Sequence, residues 1–120
     1  MKNKTLVLGA SENPDRYSNK AILKLISKDQ EVVAIGKKAG NVNGVEISTH
    51  TAPSEDIETV TLYLNPLHQK PYYDYILSLK PKRIIFNPGA ENDELEQLAT
   101  KQGIKVMEAC TLVMLSTGQY

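Results

Sequence analysis

Cysteine is almost missing from this chain: Cys110 is the only one, so an intramolecular disulfide is excluded. The expected setting is a reducing compartment, the cytoplasm, and a fold that needs neither disulfide nor metal. An excess charge is missing too, with 14 basic and 14 acidic residues, which gives no bulk attraction toward nucleic acid. No apolar run approaches the ~20 residues of a membrane span. The run behind the basic Met1-Lys2-Asn3-Lys4 is too short for a signal-peptide core. Repeats, low-complexity tracts and linkers are absent as well. The expectation is one domain over 1–120, long enough to bury roughly two-thirds of the surface its unfolded chain exposes.

What is present is an alternation of short apolar runs with helical patterns. That is the layout of an α/β unit with a mainly parallel sheet of five or six strands and helices on both faces. Val- and Ile-rich cores with little in–out alternation predict strands over 5–8, 31–35, 59–64, 83–87 and 104–108. A weaker run predicts a short edge strand over 45–48. Helices are predicted over 18–28, 71–79 and 92–102. The last has Asp93, Glu94 and Glu96 in its first turns, a stripe of Leu95, Leu98 and Ala99, Lys101 near its end and Gly103 beyond. Segment 36–44, with three glycines and two lysines, is expected to be a mobile loop.

The most pointed signal is the opening. Thr5-Leu6-Val7-Leu8 runs into Gly9-Ala10-Ser11-Glu12-Asn13-Pro14-Asp15-Arg16-Tyr17-Ser18, and a stripe of Ala21, Ile22, Leu25 and Ile26 follows. A buried strand, a small-residue turn and a helix aim backbone N–H groups and a positive dipole end at one point, which suits a phosphate. A dinucleotide fingerprint needs Gly-x-Gly-x-x-Gly; the matching positions are Gly9, Ser11 and Pro14, and only the first agrees. Pro14 disfavours a helical Asn13, so the helix is expected to begin near Ser18, with Ser18 as N-cap and free amides at Asn19 and Lys20. Ser11 and Asn13 add side-chain donors, and Arg16 adds a charged fork. The same residues also suit an ordinary β–α turn.

A chain that binds NAD normally carries Asp or Glu at the end of its second strand, on the ribose 2′-hydroxyl. Here the residues are Ile35-Gly36-Lys37-Lys38. Two lysines favour a nucleotide with an extra ribose phosphate, coenzyme A or NADP; the alternative is a pair of solvated loop charges.

With these residues the chain resembles a stand-alone CoA-binding domain, the Rossmann-like module also found at the front of succinyl-CoA ligase α-subunits and ADP-forming acyl-CoA synthetases. The resemblance covers nearly the whole chain. It rests on Gly9-Ala10-Ser11, Asn13-Pro14 and Arg16-Tyr17-Ser18, on the 36–44 loop with its lysine, on Asn87-Pro88-Gly89-Ala90-Glu91-Asn92 and on Glu108-Ala109-Cys110. It implies a pyrophosphate on Gly9, Ala10, Ser11, Asn13, Arg16, Tyr17 and the helix start at Ser18. Adenosine and its 3′-phosphate would lie near Ile35 and Lys37 or Lys38. Leu64-Asn65-Pro66 would flank the pantetheine arm, with Asn87-Pro88-Gly89 facing it. The family usually has Asn-Pro after the second strand, where this chain has Gly36-Lys37, and often Gln where this chain has Asn87. The linked ligases need further domains, for which 120 residues leave no room. The resemblance therefore implies a non-catalytic module for CoA or an acyl-CoA; an NADP-binding oxidoreductase or sensor and a ligand-free interaction protein are the alternatives.

Candidates for chemistry are few. His68 follows Asn65-Pro66 at the ligand-facing strand end but has no identifiable carboxylate partner, and His50 lies in a polar loop. Cys110 follows the last strand and is read as a small residue at the core's edge rather than a thiolate. Glu91, Asp93, Glu94 and Glu96 are explained by the helix start they occupy, and no spacing indicates a metal site. Tyr72, Tyr73 and Tyr75 fall on more than one helix face. They are read either as partly buried tyrosines or as a surface for a second copy or a separately encoded partner.

Overall fold

The structure, a computed structural model, describes residues 4–120, so Met1-Lys2-Asn3 of the basic opening lie outside the described residues. The strands are β1 (Lys4–Leu8), β2 (Glu31–Ile35), β3 (Gly40–Val42), β4 (Val45–Ser48), β5 (Ile57–Leu62), β6 (Arg83–Phe86) and β7 (Lys105–Glu108). The helices are α1 (Tyr17–Ser27), α2 (Pro66–Gln69), α3 (Tyr73–Ser78), α4 (Asp93–Lys101) and α5 (Thr111–Ser116). All seven strands form one sheet in the order β3-β4-β2-β1-β5-β6-β7. Every pairing is parallel except the β3–β4 hairpin.

Seven strands exceed the five or six expected, and the addition is β3, inside the segment read as a mobile loop. Its cause is local. Asn43 and Gly44 both adopt positive φ (50° and 94°), which closes a two-residue hairpin turn whose twist matches its strands. The Asn41 side-chain oxygen accepts the Gly44 N–H at 2.9 Å and reinforces it. The edge position expected for β4 belongs to β3 instead.

Strand alternation sends two different sets of side chains to the two faces. Leu6, Leu8, Val60, Leu62, Ile84 and Phe86 meet Ile76 of α3 and Leu95 and Ala99 of α4 on one face. Val7 and Ala34 meet Ile22 and Leu25 of α1 and Leu115 of α5 on the other. Each such side chain, fully buried, contributes roughly 1.5–3 kcal/mol. Tyr72, Tyr73 and Tyr75 are half-buried and pack against the first cluster, so they form no exposed tyrosine surface.

The helix predicted over 71–79 starts earlier and in two pieces. Asn65 caps α2 by accepting the His68 N–H at 3.0 Å, with Pro66 in the first turn. Pro71 has no N–H to continue the ladder, and a 3-10 turn, Lys70–Tyr72, joins α2 to α3. The 92–102 helix is found as α4 with Asn92 as its cap. No helix among the described residues is long and apolar enough to cross a membrane.

Candidate functional site

β1 pairs with β2 on one side and β5 on the other, and the register sets Leu8 opposite both Ile35 and Leu62. Chain connections leave β1's neighbours in opposite directions here, the crevice where open α/β sheets hold ligands. A cleft of about 220 Å³ opens at this point, lined by Gly9, Gly36, Lys37, Leu64, Leu67, His68, Pro71 and Tyr72.

Two glycines make the crevice possible. Gly9 has φ 99°, and a Cβ there would stand 3.1 Å from the Tyr63 carbonyl carbon. A Cβ on Gly36 would stand 2.3 Å from the Ala10 carbonyl oxygen, so β2's end approaches the turn more closely than any other residue allows. The Ile35 carbonyl accepts both the Gly9 and the Ala10 N–H at 2.9 Å, which occupies the first two amides of the turn.

The turn then builds its own frame. Ser11 Oγ accepts the Asn13 N–H and Asn13 Oδ1 accepts the Asp15 N–H, each at 3.0 Å. The Asn19 side chain donates to the Ser11 carbonyl at 3.0 Å and ties turn to helix. These bonds use acceptor positions, so the Ser11 hydroxyl and the Asn13 side-chain N–H can still donate outward. Helix α1 begins one residue before expectation. Arg16 is its cap residue and Ser18 is buried inside the first turn, because the Arg16 carbonyl accepts from both Asn19 and Lys20. At the start of α1 the amides without an intramolecular acceptor are those of Tyr17 and Ser18, not those of Asn19 and Lys20. The Arg16 side chain makes no cap bond and is exposed beside them. Tyr17 is 68% exposed. The Lys20 ammonium lies 5.6 Å from its ring centre.

The structure therefore gathers Gly9, Lys37 and Leu64 on the cleft wall; Ala10, Ser11, Asn13, Arg16, Tyr17 and Ser18 follow Gly9 along the chain and are not part of the lining. Lys38 is exposed beside Lys37, and Asn65 and Pro66 start the short helix that carries Leu67 and His68 into the lining. Two expected ligand residues are closed off. Ile35 is 2% exposed, its side chain packed in the first core cluster. Asn87 is also buried: its amide nitrogen donates to Thr61 Oγ1 (2.7 Å) and the Leu62 carbonyl (2.9 Å), and its oxygen accepts the Thr111 N–H (2.9 Å). Asn87, just past β6, thus caps α5, with both of its amide N–H donors used inside the protein. Pro88 and Gly89 are exposed, with the Gly89 N–H held by the Glu91 carboxylate at 2.9 Å.

Gln69 was not among the residues singled out from sequence, yet it holds the cleft's outer wall. Fully buried, its side-chain nitrogen donates to the carbonyls of Leu64 (2.8 Å) and Ala90 (2.7 Å) while its oxygen accepts from Asn92 (2.9 Å). Cys110 is half-buried at the start of α5 and is not part of the lining. Asp93, Glu96 and Glu108 bring carboxylate oxygens within 4.8 Å of one another at the β7 edge. Burial, then the neighbouring Glu108, holds the Glu96 carboxyl above its usual range.

A cleft at the switch point of a parallel sheet, opened by Gly9 and followed by a phosphate-type turn, defines a Rossmann-like domain. The chain belongs to the CoA binding domain family, whose pattern matches residues 3–116. A crystal structure of an uncharacterized protein is 48% identical, with 100% of this chain and 99% of that chain covered and a TM-score of 0.97. A Thermus thermophilus protein, cell-free ID.343, is 19% identical, covering 99% of this chain and 91% of its own, with a TM-score of 0.86. A hypothetical protein from Pyrococcus horikoshii OT3 is 21% identical, covering 97% and 83%, with a TM-score of 0.87. At those identities the last two show the fold alone. No curated protein matches the chain at a significant level.

Proposed function

We propose that this domain is a cytoplasmic, non-catalytic binding module for coenzyme A or an acyl-CoA. The observation that carries the reading is the joining of Lys37 to Gly9, Leu64 and Tyr72 around one cleft, with the Ser11–Ser18 turn leading on from Gly9. The apolar wall of Leu64, Leu67, Pro71 and Tyr72 suits the flat adenine base. Lys37 and Lys38 suit the 3′-phosphate, and the amides of Tyr17 and Ser18 with Arg16 suit the pyrophosphate. The pantetheine arm then runs toward Pro88-Gly89, past Asn87 rather than bonded to it.

The test is calorimetric titration of nucleotide-stripped protein with CoA, acetyl-CoA, NADP and NAD. Micromolar or tighter binding of CoA, with none of NAD or NADP, is the expected result. Arg16→Ala should weaken it about tenfold, the scale of one charge-assisted phosphate contact, without changing the unfolding midpoint. Silence for all four ligands, or NADP binding as tightly as CoA, would overturn the reading.

A further inference from the structure

An acidic residue sits where a phosphate turn should repel one. Glu12, between Ser11 and Asn13, makes no ion pair with either neighbouring lysine among the described residues. Its carboxylate bonds the hairpin: Oε2 accepts the Asn41 N–H at 2.8 Å. Gly40 makes the room. A Cβ there would stand 2.4 Å from the Glu12 carboxyl carbon and 2.7 Å from Oε2. The Gly40 backbone is not left-handed, so the missing Cβ, rather than unusual backbone freedom, is what the contact requires.

This clasp is one of two. At the other end of the same short segment, Gly36 lies against the Ala10 carbonyl, and its own N–H is held by the Ser48 carbonyl at 2.9 Å. The residues between the fastened ends are Lys37, Lys38 and Ala39. The lysine loop is therefore held at both ends against residues 10–12 of the turn: at one end the Ala10 N–H bonds the Ile35 carbonyl and Gly36 packs against the Ala10 carbonyl, at the other the Glu12 carboxylate accepts the Asn41 N–H. A charge-assisted hydrogen bond from a side chain of the turn is the directional half of the strap.

Resting on the CoA reading, the geometry points to Glu12 as a positioning residue that sets Lys37 and Lys38 over the ribose 3′-phosphate, and so determines preference for CoA over dephospho-CoA. It touches no ligand; it acts through the loop. A free loop still offers two positive charges, but without a fixed place for them the 3′-phosphate gains only the weak attraction of mobile surface lysines.

The test compares CoA and dephospho-CoA affinities for wild type, Glu12→Ala, Glu12→Gln and Gly40→Ala, with amide exchange at Asn41 read in parallel on ligand-free protein. Glu12→Ala should lower the CoA to dephospho-CoA affinity ratio about three- to fivefold while dephospho-CoA affinity stays put. Gly40→Ala should do the same by expelling the carboxylate. Glu12→Gln, whose amide oxygen still accepts from Asn41, should keep most of the ratio. Asn41 exchange should quicken in Glu12→Ala and Gly40→Ala alone. An unchanged ratio, or equal losses for both ligands, would overturn the positioning role. Unchanged Asn41 exchange would overturn the clasp itself. No binding of either nucleotide to wild type would overturn the CoA reading and the discrimination with it, while leaving the clasp visible in Asn41 exchange.

Discussion

The two faces of this sheet are built on different principles. Beneath α3 and α4, the surface of β1, β5 and β6 is Leu6, Leu8, Val60, Leu62, Ile84 and Phe86, without a polar side chain. Beneath α5, the opposite surface of the same strands presents, beside Val7, the polar Thr5, Thr59, Thr61 and Asn87, all 2% exposed or less, and Arg83. There Thr61 and Thr111 share a 2.8 Å hydrogen bond, and Arg83 Nε donates to Thr59 at 2.8 Å while its guanidinium stacks 4.4 Å from the centre of the Tyr120 ring. Thr5 meets the Tyr120 hydroxyl at 2.5 Å, closing a contact between residues 115 apart in sequence. Apolar burial is non-directional and stabilises whatever packs well. Buried hydrogen bonds add less net energy but accept few geometries. One face holds the molecule together; the other decides where the α5 segment and its tail come to rest.

That contrast can be broken in order of size. Phe86→Ala, on the apolar face, should cost about 3–5 kcal/mol in denaturant unfolding, the range for a fully buried aromatic. A loss below about 1 kcal/mol would mean that this face is not the main source of stability. The polar face should fail instead at alkaline pH. The Tyr63 hydroxyl is buried beside Thr61 and Thr111, and burial, outweighing those hydroxyls, pushes its pKa from 10.0 up to about 12. Burial raises Tyr120 as well. A raised folded-state value means the native state keeps its proton longer, so this stability is complete below pH ~10 and lost as pH climbs toward ~12. Tyr63 alone should account for about 2–3 kcal/mol of that loss, and Tyr63→Phe should flatten the unfolding midpoint between pH 9 and 11.5.

Asn87→Ala should cost about 2 kcal/mol, since it strands the Thr111 N–H, and should raise amide exchange in α5 while leaving α4 protected. Equal loosening of α4 would erase the distinction between the faces. The smallest change sharpens it from the other side. Glu96→Gln should stabilise the protein by about 0.5 kcal/mol at pH 7 by relieving a carboxylate that is partly desolvated and set beside Glu108, with the gain fading as pH falls through the raised Glu96 range toward the ordinary value of 4.5.

The strands were legible from sequence because a sheet covered on both sides requires uninterrupted Val, Ile and Leu, and five such runs sit within two residues of the observed strands. The strand-to-helix turn after β1 was legible because Gly9 and Pro14 constrain the backbone locally, although the cap falls on Arg16 rather than Ser18. The β3–β4 hairpin was readable too, in Asn43-Gly44, but the lysines and glycines around it drew the loop interpretation. Helix α5 was not readable. Its Thr111-Leu112-Val113 opening has weak helix propensity, and its cap is Asn87, 24 residues away. The same holds for the Gln69 tie and the Glu12 clasp, which exist only once distant backbone groups have been brought alongside.

The seam on which the cleft lies has a practical meaning. Residues 4–48 supply β1 to β4, with Gly9, Gly36 and Lys37, while residues 57–120 supply β5 to β7, with Leu64, Leu67 and Tyr72. Cut in the 49–56 connection, the chain would yield two fragments that each carry half of a binding surface. A ligand that fits the whole cleft would then serve as glue between them, and its uptake would be a signal that the fragments had met.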